Sequence, residues 1–264
     1  MNSGIHKTAI IEKGAKIGKN VKIGAYCVIG KNVKIGDETE LKPHIVIEGQ
    51  TTIGQNNVIY PFTSIGTIPQ DLKFAGEESE VIIGDKNIIR EHVTINPGTK
   101  DDAMVTKIGN NCLLMVGTHI AHDCQVGNHC IFANNATLAG HVIVEDHAIV
   151  GGLSAVHQFV RIGKHAMIGG MSGVEHDVIP YGTVKGNRAS LAGLNLVGMR
   201  RRNIPSDEIN KLLKFFKAVF ESQDLTFEER LKKSEADFNG SKIVKEVLDF
   251  LTSDKKSRSI CKVK

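Results

Sequence analysis

The segment His119-Ile120-Ala121-His122-Asp123-Cys124 holds the residue types that proton transfer requires. A histidine can take a proton from a hydroxyl near neutral pH, and a carboxylate beside it can orient the ring. Here two histidines flank an aliphatic residue, and an aspartate directly follows the second. Gly140-His141 and His157-Gln158 come further along. A glycine can present a bare backbone N–H to a developing oxyanion. Base, orienting carboxylate and amide donor together suit acyl transfer without a protein nucleophile. Whether they meet depends on the elements that carry them.

Those elements are announced by a repeat. An aliphatic residue returns every sixth position from Ile5 to Ile65 and again at Ile83, Ile89 and Ile95. After one slip the period runs from Ile108 to Val174, with Phe132 in phase. A hexapeptide period predicts a parallel β-helix. Strand side chains alternate, so the residue two before each aliphatic shares its inward face. Those positions hold small residues such as Ala9, Cys27, Cys124, Cys130 and Ala148. Three hexapeptides close one turn of a triangular prism, so residues eighteen apart stack about 4.8 Å apart. The repeats imply roughly nine coils, a prism on the order of 40 Å tall. Asn20, Asn32, Asn56 and Asn111 suit the left-handed backbone of tight corners. Stacking by eighteen puts His122, Gly140 and Gln158 in one column and Asp123 beside His141 in the next. With His119 and His157 they converge on one ridge of three coils.

Two segments break the period, 67–82 and 96–107, and are expected to project as loops that can carry function. After about Leu191 the pattern becomes helical. Residues 1–190 read as the β-helix and 191–264 as a helical domain covering its last coil. Ile209, Leu212, Leu213 and Phe216 follow Pro205-Ser206 at helical spacing. Thr226-Phe227-Glu228-Glu229 reads as a capping box, and Ile243 to Leu251 as a further helix. The basic end, Ser253 to Lys264, is expected to fray.

Composition narrows the function classes. Thirty-three basic residues face twenty-nine acidic ones, a net charge of +4, and aromatic residues are scarce. That balance does not suit nucleic-acid binding. No apolar run reaches membrane-spanning length and no secretory leader is visible, so a cytoplasmic protein is expected. Cys27, Cys112, Cys124 and Cys130 occupy small inward positions, and no C-x-x-C pair suggests thiolate zinc. His129, His147 and His165 lie one coil apart and should stack in an exposed column without a metal. Arg200-Arg201-Arg202 could clamp phosphates or form a solvated turn.

Four stretches carry a family resemblance: His119 to Cys124, Ala133 to His141, Ala155 to Phe159, and Gln70-Asp71-Leu72-Lys73. They resemble the UDP-N-acetylglucosamine O-acyltransferases of lipid A biosynthesis, and the likeness extends over essentially the whole chain. The resemblance implies a homotrimer of left-handed parallel β-helices. It implies transfer of a 3-hydroxyacyl group from acyl carrier protein to the sugar 3-hydroxyl. No resident cofactor is implied, since the donor brings its own 4'-phosphopantetheine. By this resemblance His122 is the general base, Asp123 orients it, and the Gly140 amide holds the oxyanion. His119, His141, His157 and Gln158 would line the substrate groove, with Asp71 and Lys73 reaching in across the subunit interface. Asn195 and Arg201, with Arg202 beside them, would hold the nucleotide. Gly170 would limit acyl length, two coils along the ridge from Gly140. Val197 and Arg188 depart from the family pattern, so one nucleotide contact and the preferred chain length stay open. Two other readings compete. One is a zinc hydratase of related fold built on the histidines, and the other is a non-catalytic scaffold.

Overall fold

The computed structural model describes residues 4–100, 102–222, 224–253 and 258–263. The aliphatic residues at hexapeptide positions turn inward and are buried, Ile29, Ile47, Ile65, Ile95, Ile120 and Leu138 among them. Strands mostly of two residues build three sheets of nine, eight and ten strands, parallel except at the last strand of the third. Register partners step by one coil, Val28 to Val46 to Ser64. The fold is a left-handed parallel β-helix with helices at its C-terminal end. The first face carries His119–Ile120, Thr137–Leu138 and Ala155–Val156. The second carries Gln125–Val126 and Ile143–Val144, and the third Ile131–Phe132, Ile149–Val150 and Met167–Ile168.

Corners between faces need left-handed backbone. Asn20, Asn56 and Asn111 adopt it with φ of 55°, 59° and 57°; Asn32, expected to join them, does not. Bulkier residues also fill these corners, including Tyr26, Phe62, Leu153 and Phe159 at φ of 59°, 63°, 59° and 65°. Large side chains are uncommon in that region. Stacking offsets the strain here: Tyr26, His44, Phe62 and His92 form one column with ring centroids 5.1, 5.3 and 5.1 Å apart.

The chain leaves the coils twice, between Ser64–Ile65 and Glu80–Ile83 and between Thr94–Ile95 and Val105–Ile108. Each excursion starts on the first face and ends on the second, so both emerge from the same edge of the prism. Ser64 pairs with Thr94, and Thr94 with His119, so the ladder continues unbroken beneath them.

At the C-terminal end Gly182–Lys185 extends the third face and Ser190–Leu194 turns back antiparallel to it. The hexapeptide period has ended by then, so the repeat gives no hint of this hairpin. Helices α1 (Leu196–Arg201), α2 (Ser206–Phe216), α3 (Phe227–Asp237) and α4 (Lys242–Thr252) follow. Thr226 and Glu229 form the capping box of α3. The described part of the end does not fray, contrary to expectation. Asp177 pairs with Ile260 and Leu191 with Val263 through single bridges, so the tail returns to the prism. Residues 254–257 and 264 of the expected frayed segment lie outside the described residues.

Buried polar contacts fasten the helices to the last coil. Arg161 Nε donates to Asp177 Oδ2 at 2.7 Å, its Nη1 donates to Ser253 Oγ at 2.6 Å, and its guanidinium lies over the Phe250 ring. Lys164 reaches Glu246 of α4 at 3.0 Å, and the Tyr181 hydroxyl donates to the same carboxylate. Removing one partner of a buried pair strands the other charge. Arg161→Ala should therefore destabilise the protein by about 3–5 kcal/mol in denaturant unfolding. It should also expose α4 to proteolysis before the prism. Unchanged stability would mean that apolar contacts alone hold the helical domain.

Candidate active site

The edge between the first and second faces collects the histidine ridge. His122 follows the strand His119–Ile120 at this corner, and Asp123 takes the left-handed corner conformation, φ 58°. That turn lets the two side chains meet. His122 Nδ1 lies 3.0 Å from Asp123 Oδ2, and both residues are buried. One coil on, Gly140 lies flat beneath the imidazole. A methyl built there would overlap the ring, with Nε2 at 2.5 Å, so only glycine permits this approach. Among the described residues nothing accepts the Gly140 N–H.

The excursions complete the site. Thr99, from the second, donates both its N–H (2.9 Å) and its hydroxyl (2.7 Å) to Asp123 Oδ2. Burial pushes the Asp123 carboxyl up, but hydrogen bonds from His122 and Thr99 outweigh it and hold the carboxyl below the usual range. Asp102 Oδ2 meets His141 Nδ1 at 2.8 Å, and the His141 ring stacks on Phe159 with centroids 4.4 Å apart. Asp71, from the first excursion, places Oδ2 4.0 Å from His122 Nε2, and its Oδ1 accepts the Lys73 N–H at 2.9 Å. His119 is held by Thr94 Oγ1 at 2.7 Å. Burial, helped by the nearby His122, pushes its pKa down.

Asp71, expected to reach across a subunit interface, approaches His122 of its own chain. The excursion leaves the very edge that carries His122, so no neighbour is needed to deliver it. His157 and Gln158 lie on this edge with exposed side chains, and the Gln158 carbonyl accepts from Arg258 Nε at 2.9 Å. Thr94, Gly98, Thr99, Asp102 and Phe159 were not singled out from the sequence. The period break at 96–107 was the available signal for three of them.

Gly170 does not share the ridge. It follows Met167–Ile168 of the third face and precedes Gly173–Val174 of the first, so it sits on a different edge from Gly140. The expected path of two coils from Gly140 within one chain therefore does not exist. Exposed Leu153 and Met171 flank it.

The remaining candidates gather on the edge between the second and third faces. His129, His147 and His165 stack there with centroids 4.7 Å apart, as spacing implied. The column is not all exposed, however: Tyr181 covers His165, which is buried. Burial, helped by nearby His147 and Arg202, pushes His165 down to about 4. Arg202 donates to His147 Nδ1 at 2.9 Å. Asn195 caps α1 through Gly198 N (3.0 Å) and donates to the His165 carbonyl (2.9 Å). Arg201 is exposed on α1, and Val197 is exposed beside it. Arg188 is not on this edge: it is ion-paired with Glu175, which follows Gly173–Val174 of the first face.

Among the described residues, His122, Asp123 and His141 bring possible metal-ligand atoms within 4.8 Å of one another. Asp123 Oδ2 already faces three donors, from His122 and Thr99. That arrangement suits an orienting carboxylate better than a metal ligand. The buried Cys124 thiol is pushed up to about 12 by burial, which removes it as a nucleophile near neutral pH.

Comparison with known proteins identifies the family. A family model described as Udp N-acetylglucosamine O-acyltransferase, Domain 2, matches residues 177–261, and one for bacterial transferase hexapeptides matches 106–140. The acyl-carrier-protein-dependent UDP-N-acetylglucosamine O-acyltransferase of Rickettsia canadensis is 54% identical over 260 residues, 98% of each chain. That of Rickettsia typhi is 53% identical over 263 residues, covering 100% of this chain and 99% of the relative. The solved structure of LpxA from Acinetobacter baumannii superposes with a TM-score of 0.94 at 44% identity, covering 98% of this chain and 100% of that one. The chain is an acyltransferase and belongs to the acyl-carrier-protein-dependent UDP-N-acetylglucosamine O-acyltransferase family.

Proposed function

We propose that this enzyme transfers a 3-hydroxyacyl group from acyl carrier protein to the 3-position of UDP-N-acetylglucosamine, the first step of lipid A biosynthesis. The observation that carries the chemistry is the buried Asp123–His122 pair lying against Gly140. Asp123 fixes the imidazole with Nδ1 as donor, leaving Nε2 to take the proton of the sugar hydroxyl. Asp71 Oδ2 lies 4.0 Å from Nε2, so a hydroxyl set to one side of the pair can reach both. The oxygen attacks the thioester carbonyl, and the Gly140 N–H faces the developing oxyanion. The C–S bond breaks, and His122 returns its proton to the leaving thiol. These steps balance without a resident metal or cofactor. Five free, buried cysteines support a cytoplasmic setting. Among the described residues no helix is long and apolar enough to cross a membrane.

The surface supports a trimer. The third face points Val58, Leu113, Ile131 and Ile149 outward, and the first presents Ile10, Val28, Val46 and Ala155. The second instead displays Lys16, Lys34, Glu80 and Lys107. Two adjoining apolar faces invite packing of the first face of one chain on the third face of the next, a head-to-tail contact that can close as a ring. Their shared edge, with exposed Tyr26, Phe62, Leu153 and Met171, then turns toward the axis. The His122 edge of one chain meets the Asn195, Arg201 and Arg202 edge of its neighbour. Gly170, on the axial side, would meet the acyl chain between subunits.

Replacing His122 by Ala should lower kcat by about 10²–10⁴-fold with the fold intact, measured as thiol release from the acylated carrier protein. Turnover close to the parent's would remove His122 as base. Gly140→Ala should also lose activity, because its methyl displaces the His122 ring. A parent-like rate for that variant would show that the ring needs no bare Cα beneath it. Mixed trimers test the subunit arrangement. His122→Ala combined with Arg202→Ala should recover activity at about one interface in four, since each chain supplies the edge the other lacks. His122→Ala combined with Asp71→Ala should recover none, because both lie on one edge. The reverse pattern would overturn the placement.

A further inference from the structure

Thr99 belongs to neither the repeat nor the histidine ridge, yet it is buried and gives two donors to one atom. Its N–H and hydroxyl both meet Asp123 Oδ2, at 2.9 and 2.7 Å, the same oxygen that faces His122 Nδ1 at 3.0 Å. The other carboxylate oxygen has no hydrogen-bond partner among the described residues. It lies against Gly98, where a built methyl would stand 2.6 Å from it. The Gly98-Thr99 turn thus grips the carboxylate from one side by contact and from the other by hydrogen bonds.

The turn is itself anchored. Asn96 Nδ2 donates to the Thr67 carbonyl at 3.0 Å, and Lys100 N donates to Glu77 Oε1 at 3.2 Å, which ties it to the first excursion. Thr99 is 3% exposed, so the hydroxyl works away from bulk water, where a donor to a carboxylate counts for more.

We propose that Thr99 is a positioning residue for the acyl transfer, acting through Asp123 on His122. This rests on the reading of His122 as base. Thr99 keeps Asp123 ionised against its burial and fixes the rotation of the carboxylate. A fixed carboxylate holds the imidazole with Nδ1–H toward Asp123 and Nε2 toward the acceptor hydroxyl. Without the Thr99 hydroxyl, Asp123 gains proton affinity and rotational freedom, and His122 spends less time in the productive orientation.

Thr99→Val keeps the shape and the backbone donor while removing the hydroxyl. It should lower kcat by about 10- to 100-fold, the usual worth of a buried hydrogen bond to a charged group. KM for UDP-N-acetylglucosamine should stay within about twofold, because Thr99 does not reach the acceptor. The acid limb of the kcat/KM profile should move to higher pH as Asp123 becomes easier to protonate. Asp71, Asp102, His119 and His141 surround the pair in both proteins, so the comparison isolates the hydroxyl. Thr99→Ser should restore both rate and profile. If the valine variant melts early, Thr99→Ala supplies the same readings without placing a methyl where the hydroxyl stood. A parent-like kcat and an unmoved acid limb in Thr99→Val, with His122→Ala inactive, would overturn the role of Thr99 alone. So would a serine variant as impaired as the valine one. An active His122→Ala would instead bring down the reading beneath it.

Discussion

Closing a coil of eighteen residues around a narrow aliphatic core leaves few freedoms. The inward Ile, Leu and Val side chains set the width of the prism, and parallel pairing fixes the rise from coil to coil. A residue's position within the coil then decides its face or edge, and its coil number decides its height. His122 and Gly140 meet because they differ by one coil and nothing intervenes. Corner residues in left-handed conformation point side chains outward along the edges, so edges become columns of stacked groups. The chemistry proposed for the enzyme lies on those columns.

One edge bears the greatest electrostatic demand. A carboxylate as buried as Asp123 is costly to ionise unless donors surround it. The repeat can supply only part of that set, because its backbone amides are largely committed to the ladder. His122 contributes one donor, and the turn at Gly98-Thr99 contributes two more. This explains why departures from the period occur where they do. A face cannot accept an insertion without losing strand pairing, whereas an edge can, and Ser64 still pairs with Thr94 across the first excursion. The extra residues bring Asp71, Thr99 and Asp102 over the dyad.

That division also sets what could be read from the sequence. Residues inside the repeat were legible by counting: His122, Asp123, Gly140 and His141 were brought together by steps of eighteen, and the structure joins them. The capping box of α3 was legible because its signal is local. Thr99 and Asp102 were not, since a loop's path depends on contacts no period encodes. Gly170 illustrates a different failure. Height along the prism was counted, but thirty residues from Gly140 is not a whole number of coils, and the remainder moves Gly170 to another edge. Asp71 was expected to act across an interface, whereas it lies 4.0 Å from His122 of its own chain, on the edge from which its loop departs. The buried end of the histidine column needed knowledge of the hairpin and Tyr181, which follow the last repeat.

Three edges of one prism point away from each other, so groups on different edges cannot serve one substrate within a chain. His122 lies on one edge, Arg202 on a second and Gly170 on the third. A single prism carries the groups proposed for proton transfer and for cation binding on separate sides. The proposed packing of the two apolar faces against neighbours would remove this obstacle. It would turn outward ridges into the walls of a cleft, and the same contact that buries Ile131 and Val46 would bring an arginine-bearing edge beside a histidine-bearing one. Such an assembly would do more than add stability. It would convert a convex surface, poor at excluding water, into a groove where a buried dyad can act on a bound hydroxyl.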